Sequence, residues 1–150
     1  SDSFEPNGSC AAFHSVNPVG SDGTQTYNTQ SVYPFGDSDY YRFVASETDS
    51  SCGCGALSFD EDYRLTTSLT VPPGAGVYEL CISMTCDAWA ACTTVNPGTT
   101  AGLVWDLDGA CGPGTEDDYA IFVRVRGVTS PGFTCQPYAL SYNFDAGRCF

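Results

Sequence analysis

At 150 residues, 42% apolar and 13% aromatic, the chain carries enough apolar material for a core, which excludes an intrinsically disordered protein. Eighteen acidic residues stand against five basic ones, for a net charge of −13, and such a surface repels nucleic acid and anionic membranes. No run approaches the ~20 apolar residues of a spanning helix, so no membrane insertion is expected.

Residues 1–35 show no clear apolar alternation and read as an N-terminal arm leading into the folded part, with Ser1 read as a mature N-terminus whose leader is gone. Within it, Asn7-Gly-Ser9 fits the pattern for N-linked glycosylation. From residue 36 onward, short β-branched and aromatic runs recur. They are YYRFVA (40–45), ALSF (56–59), RLTTSLTV (64–71), GVYELCISM (76–84), GLVWDL (102–107), YAIFVRVRG (119–127) and YALSYNF (138–144). Gly/Pro breakers such as VPPGAG and VNPGTTAG separate them. In YAIFVRVRG, Tyr119, Ile121, Val123 and Val125 share one face, with Ala120, Phe122, Arg124 and Arg126 on the other. Tyr78, Leu80, Ile82 and Met84 make a second inward stripe. Helical periodicity is nearly absent. The pattern predicts an all-β fold, an antiparallel β-sandwich of seven to nine short strands, in one domain spanning 1–150.

Nine cysteines and a single histidine, His14, favour disulfides in an oxidising compartment over a zinc site, so the protein is expected outside the cytoplasm, secreted or at the cell surface. Cys86–Cys92 is expected to close a loop around Trp89, Cys111–Cys135 to tie two turns, and Cys10–Cys149 to pin both ends. Cys52, Cys54 and Cys81 remain, with Cys81 able to pair with either. An odd count leaves one thiol over. The segment CTTVNPGTTAG (92–102) offers threonines for O-linked sugar.

Two aspartates in GDSDYYRF (36–43) pose the main chemical question. On the residues alone, Asp37 and Asp39 fit either an Asx-type turn ahead of a strand or a pair of hard oxygen ligands for a cation. The acidic loop DLDGACGPGTEDD (106–118) fails as an EF-hand, because Ala110 and Cys111 stand where an acid and a glycine are needed, and FDED (59–62) reads as a charged turn. A Ser-His-Asp or Cys-His site would have to use His14, which has no nucleophile motif near it. No carboxylate pair stands out either, so the chain is read as non-enzymatic.

The opening DSFEPNGSCAA, with Asp2, Glu5, Pro6 and Asn7, and the later GDSDYYRFVA, with Gly36, Asp37, Asp39, Tyr40, Tyr41 and Phe43, together resemble the bacterial pre-peptidase C-terminal (PPC) domain family. The closing FVRVRGVTSPGFTCQPYALSY is similar to that family's last hairpin. The resemblance implies a jelly-roll-like sandwich that is not catalytic, most often appended to secreted enzymes or displayed on surface proteins. Through the related collagen-binding modules of secreted collagenases it also implies calcium held by Asp2, Glu5, Asn7, Asp37 and Asp39. The cysteine load and the lack of an attached protease depart from the family. The expected function is therefore contact: a structural subunit of a surface or filament assembly, or adhesion, with copies of itself or another extracellular protein or polymer as partner. The alternative is a collagen- or polysaccharide-targeting module of a secreted hydrolase.

Overall fold

A strand with apolar residues at every second position has one dry face, and two such faces stacked together make a sandwich. The structure, a computed structural model, describes residues 5–16, 23–32, 37–45, 61–108, 119–129 and 135–149. Among these residues there are nine strands and no helix: β1 (His14–Ser15), β2 (Gly23–Gln30), β3 (Ser38–Ala45), β4 (Glu61–Thr70), β5 (Tyr78–Ser83), β6 (Ala91–Val95), β7 (Thr100–Asp108), β8 (Tyr119–Gly127) and β9 (Tyr138–Cys149).

The strands form a five-stranded sheet, β1-β3-β8-β5-β6, and a four-stranded sheet, β2-β9-β4-β7. All pairings are antiparallel except the short parallel contact of β1 with β3. The pairs β2–β9, β3–β8, β4–β7 and β5–β6 are nested, as in one long hairpin. Alternate pairs then lie in opposite sheets, which is the winding of a jelly roll. The expected fold class is what the molecule has.

Inward residues meet between the sheets. Tyr41, Phe43, Tyr78, Leu80, Ile82, Ile121, Val123 and Val125 come from one sheet, and Leu65, Leu69, Leu107, Tyr138, Leu140, Tyr142 and Phe144 from the other. Each fully buried aliphatic or Phe side chain of this kind stabilises the fold by about 1.5–3 kcal/mol. Turns are set by local chemistry. In Asn96-Pro97-Gly98-Thr99, Pro97 and Gly98 (φ 72°) occupy the central positions and Thr99 N–H donates to Asn96 O at 3.1 Å, as a type II turn requires. Gly102 is needed for another reason: a Cβ there would lie 2.4 Å from the Thr67 carbonyl oxygen, so only glycine lets β7 approach β4 this closely.

Several expectations are corrected. The strands β1, β2 and β6 are additional to those expected, and the breaker VNPGTTAG holds the end of β6, a turn and the start of β7. Glu61 and Asp62 open β4 instead of forming a turn. Met84 is 43% exposed, because β5 ends at Ser83 and the inward stripe ends with Ile82. The stretch expected as an arm is built into the sandwich: Val16 and Val32 are in the core, and β2 is an edge strand of the four-stranded sheet. The strand expected at 56–59 lies outside the described residues, as does most of 106–118.

The expected disulfide pairing is also overturned. Cys81 bonds Cys92, since the β5–β6 register sets them directly opposite with Cα atoms 4.1 Å apart. Cys86 bonds Cys10 across 76 residues of sequence, not Cys92. That leaves Cys149 without Cys10 as partner. Cys135 is a free, exposed thiol, so Cys111–Cys135 is not formed. Cys52, Cys54 and Cys111 lie outside the described residues.

Candidate metal centre

The N-terminal segment crosses the beginning of β3. Tyr40 N–H donates to the Asn7 carbonyl at 2.9 Å, and Val16 N–H donates to the Arg42 carbonyl at 2.9 Å, so residues 7 to 16 run alongside the strand. Cys10–Cys86 then fastens this segment to the loop that follows β5. The consequence is convergence: ligand oxygens of Glu5, Asp37 and Asp39 all lie within 4.8 Å of one another.

Each of the three is held from its own side. Glu5 Oε2 accepts from Asn7 N–H at 3.3 Å, and Asp37 Oδ1 accepts from Ser38 N–H at 2.9 Å. Asp37 therefore caps the strand start, so the turn reading and the ligand reading describe the same side chain. Asp39 is the second residue of β3, faces the core and is fully buried, and its Oδ2 accepts from the Tyr138 hydroxyl at 2.6 Å. Gly8 lies beside Asp37, and a Cβ there would make ordinary contact with Asp37 Oδ1 at 3.8 Å.

Asn7 adjoins them through its backbone, its N–H on Glu5 and its carbonyl on Tyr40 N–H, and its fully buried side-chain amide has no hydrogen-bond partner among the described residues. Leaving a buried amide unmade costs about 1–3 kcal/mol per group. Three carboxylates this close repel one another unless a proton or a cation lies between them. A hard cation coordinated by oxygens answers both, since calcium takes carboxylates and Asn carbonyls alike. The donor set fits calcium. Three of the five residues expected as ligands, Glu5, Asp37 and Asp39, are thus brought together, with the Asn7 backbone beside them, and Asp2 lies outside the described residues. Burial of Asn7 also leaves no room for a glycan on its amide nitrogen, so that expectation is withdrawn.

Sequence reasoning missed the core side of this centre. Tyr138 sits in an apolar-looking Tyr-x-Leu run, and nothing in that run signals that its hydroxyl meets Asp39 and the Tyr41 hydroxyl. Burial, then the neighbouring Tyr41 and Asp39, hold the Tyr138 hydroxyl well above its ordinary pKa, so it stays protonated and donates. Tyr78 is raised by burial and then by Asp39. His14, on β1, packs edgewise against Tyr27 and Tyr41, with ring centroids 6.4 Å away in each case.

A search against models of protein families found none that matches this chain, and a search of curated proteins found no match either.

Proposed function

We propose that this chain is a non-enzymatic extracellular β-sandwich that works by contact, with calcium as a structural cofactor held by Glu5, Asn7, Asp37 and Asp39. The observation that carries this reading is the meeting of two distant segments, 5–7 and 37–39, where the Glu5, Asp37 and Asp39 carboxylates cluster beside the backbone of Asn7, whose buried amide has no partner among the described residues. The resemblance to PPC domains, seen in the same residues, supports it. Calcium here clamps the N-terminal segment to β3 and does no chemistry. A ligand that binds only the folded state stabilises it by about 2.7 kcal/mol at a hundredfold excess over Kd, or roughly 5–10 °C in Tm for a chain of this size. Thermal melting with calcium and with chelator tests the site. The expected result is a shift of that order, abolished in Asp37→Asn/Asp39→Asn; no calcium-dependent shift in the unmodified protein overturns it.

Of the contact roles, adhesion to or targeting of an extracellular polymer fits better than donation of an N-terminal arm to a neighbour. The described part of that arm is already engaged in its own sandwich, through the Tyr40–Asn7 bond, Cys10–Cys86 and β2. Negative-stain microscopy with calcium present, run beside co-sedimentation with insoluble collagen and polysaccharide, separates the roles. Filaments favour a structural subunit; a monomer that co-sediments favours the targeting module.

A further inference from the structure

Asp39 belongs to two groups at once. On one side it stands with Glu5 and Asp37. On the other it begins a line of buried oxygens, Asp39–Tyr138–Tyr41, that joins the two sheets: Tyr138 opens β9 in the four-stranded sheet, and Tyr41 is two residues along β3 in the other. All three side chains have no exposed surface. A hydroxyl has one proton to give. Tyr138 gives its proton to Asp39, so the contact between the two hydroxyls must have Tyr41 as donor. The line therefore has a direction, Tyr41 to Tyr138 to Asp39, and ends on a carboxylate of the candidate metal centre.

We propose that Tyr138, supported by Tyr41, is the positioning residue of this centre, fixing the rotation of the Asp39 carboxylate so that cation binding is coupled to the packing of the two sheets. This rests on the calcium reading above. A carboxylate buried at a strand start can turn about its last single bond, and a cation needs its oxygen in one place. A donor at 2.6 Å from the core side holds one oxygen and so sets where the other points. Outer partners of this kind typically tune metal affinity by 10–100-fold.

The test is calcium titration calorimetry on the full chain and its variants, read beside near-UV tyrosine absorbance. Tyr138→Phe keeps the ring and removes only the hydroxyl. The expected result is a folded variant that binds calcium roughly 10–100-fold more weakly. Tyr41→Phe should move affinity the same way by less. Calcium should also perturb tyrosine absorbance in the unmodified protein, and this signal should vanish in Tyr138→Phe. Tyr142→Phe is the control, since this too is a core tyrosine of β9, but its hydroxyl donates to Gln25 at 2.9 Å instead of to Asp39; its calcium affinity should be unchanged. A folded Tyr138→Phe with unaltered affinity overturns the proposal, as does equal weakening by Tyr142→Phe. If Tyr138→Phe does not fold, calcium binding by the unmodified protein without any tyrosine signal overturns it. An unmodified protein that takes up no calcium overturns the underlying cation reading instead.

Discussion

The two sheets share one kind of inner face and have two very different outer faces. On the four-stranded sheet the outer residues meet as short polar pairs directly across from one another: Ser68 with Ser141 at 2.6 Å, Thr70 with Thr100 at 2.7 Å, Asn143 with Thr24 at 2.9 Å and Arg64 with Asp106 at 2.6 Å. These are the cross-strand pairs that stabilise a solvated sheet by a few tenths of a kcal/mol to about 1 kcal/mol each. The five-stranded sheet is instead covered. Cys10 and Phe13 of the N-terminal segment and the loop after β5 lie over it, stapled by Cys10–Cys86. Beneath them, Arg42 stacks on Phe13 at 5.7 Å, Phe13 meets Phe122 edge-on at 5.9 Å, and Arg124 stacks on Trp89 at 4.8 Å. Tyr40 touches Trp89 and bonds Asp87. The cover explains why β5 departs from strict alternation: Cys81 and Ser83 point outward yet are buried. An outer face left to water needs only hydroxyls and small pairs, whereas a covered one needs aromatic rings, guanidinium planes and covalent staples. The candidate metal centre lies at the edge of the five-stranded sheet, where residues 5–7 reach the start of β3.

The largest test of this contrast is the long staple. In the loop-entropy account, removing Cys10–Cys86, which spans 76 residues, costs about 4.5 kcal/mol, against about 2.8 kcal/mol for Cys81–Cys92, which spans 11. Cys10→Ser/Cys86→Ser should therefore lower the urea midpoint more than Cys81→Ser/Cys92→Ser. It should also weaken the calcium-dependent rise in Tm, because Glu5 and Asn7 sit on the released segment. Equal losses from the two pairs, with the calcium response intact, would mean that the cover does not hold the centre.

A smaller effect is expected at Glu79. Burial alone would raise its carboxyl, but hydrogen bonds and charge from Arg126 and then Arg124 outweigh that and hold it below the usual range. Its pKa is therefore lower folded than unfolded. The stability it contributes is present above the unfolded value of about 4.3 and is lost as pH falls through the folded value. Glu79→Gln should cost about 1–3 kcal/mol near neutrality, because Arg124 is only 12% exposed and loses its carboxylate partner. The variant's stability should fall less steeply than the parent's below pH 4, as measured by denaturant midpoints across pH.

The smallest effect belongs to the open face. Arg64 and Asp106 form a forked pair, but their side chains are 38% and 59% exposed, so Arg64→Ala or Asp106→Ala should change stability by about 0–1 kcal/mol. That change should shrink in high salt. A loss as large as that of Glu79→Gln would remove the distinction between the two faces.

Six strands could be read directly from the order of residues. β8 is visible end to end, because Ile121, Val123 and Val125 recur at every second position on a face that alternates with Phe122, Arg124 and Arg126, and β3, β4, β5, β7 and β9 show enough of the same pattern. β2 could not be read this way: GTQTYNTQ has one large apolar residue, and it is a strand because β9 offers it a ladder of backbone partners. β1 and β6 are short and owe their state to β3 and β5 in the same manner. Period-2 burial is a property of the local sequence, whereas edge pairing depends on what lies beside the strand. The ligand residues Glu5, Asn7, Asp37 and Asp39 were likewise legible, since hard oxygens clustered in short motifs mark themselves. Their meeting point was not, and neither was the Tyr138 hydroxyl behind Asp39 nor the partner of any cysteine. Those depend on register and on which segment crosses which strand, and residues 5 and 39, 39 and 138, or 10 and 86 become neighbours only once the jelly roll has been wound.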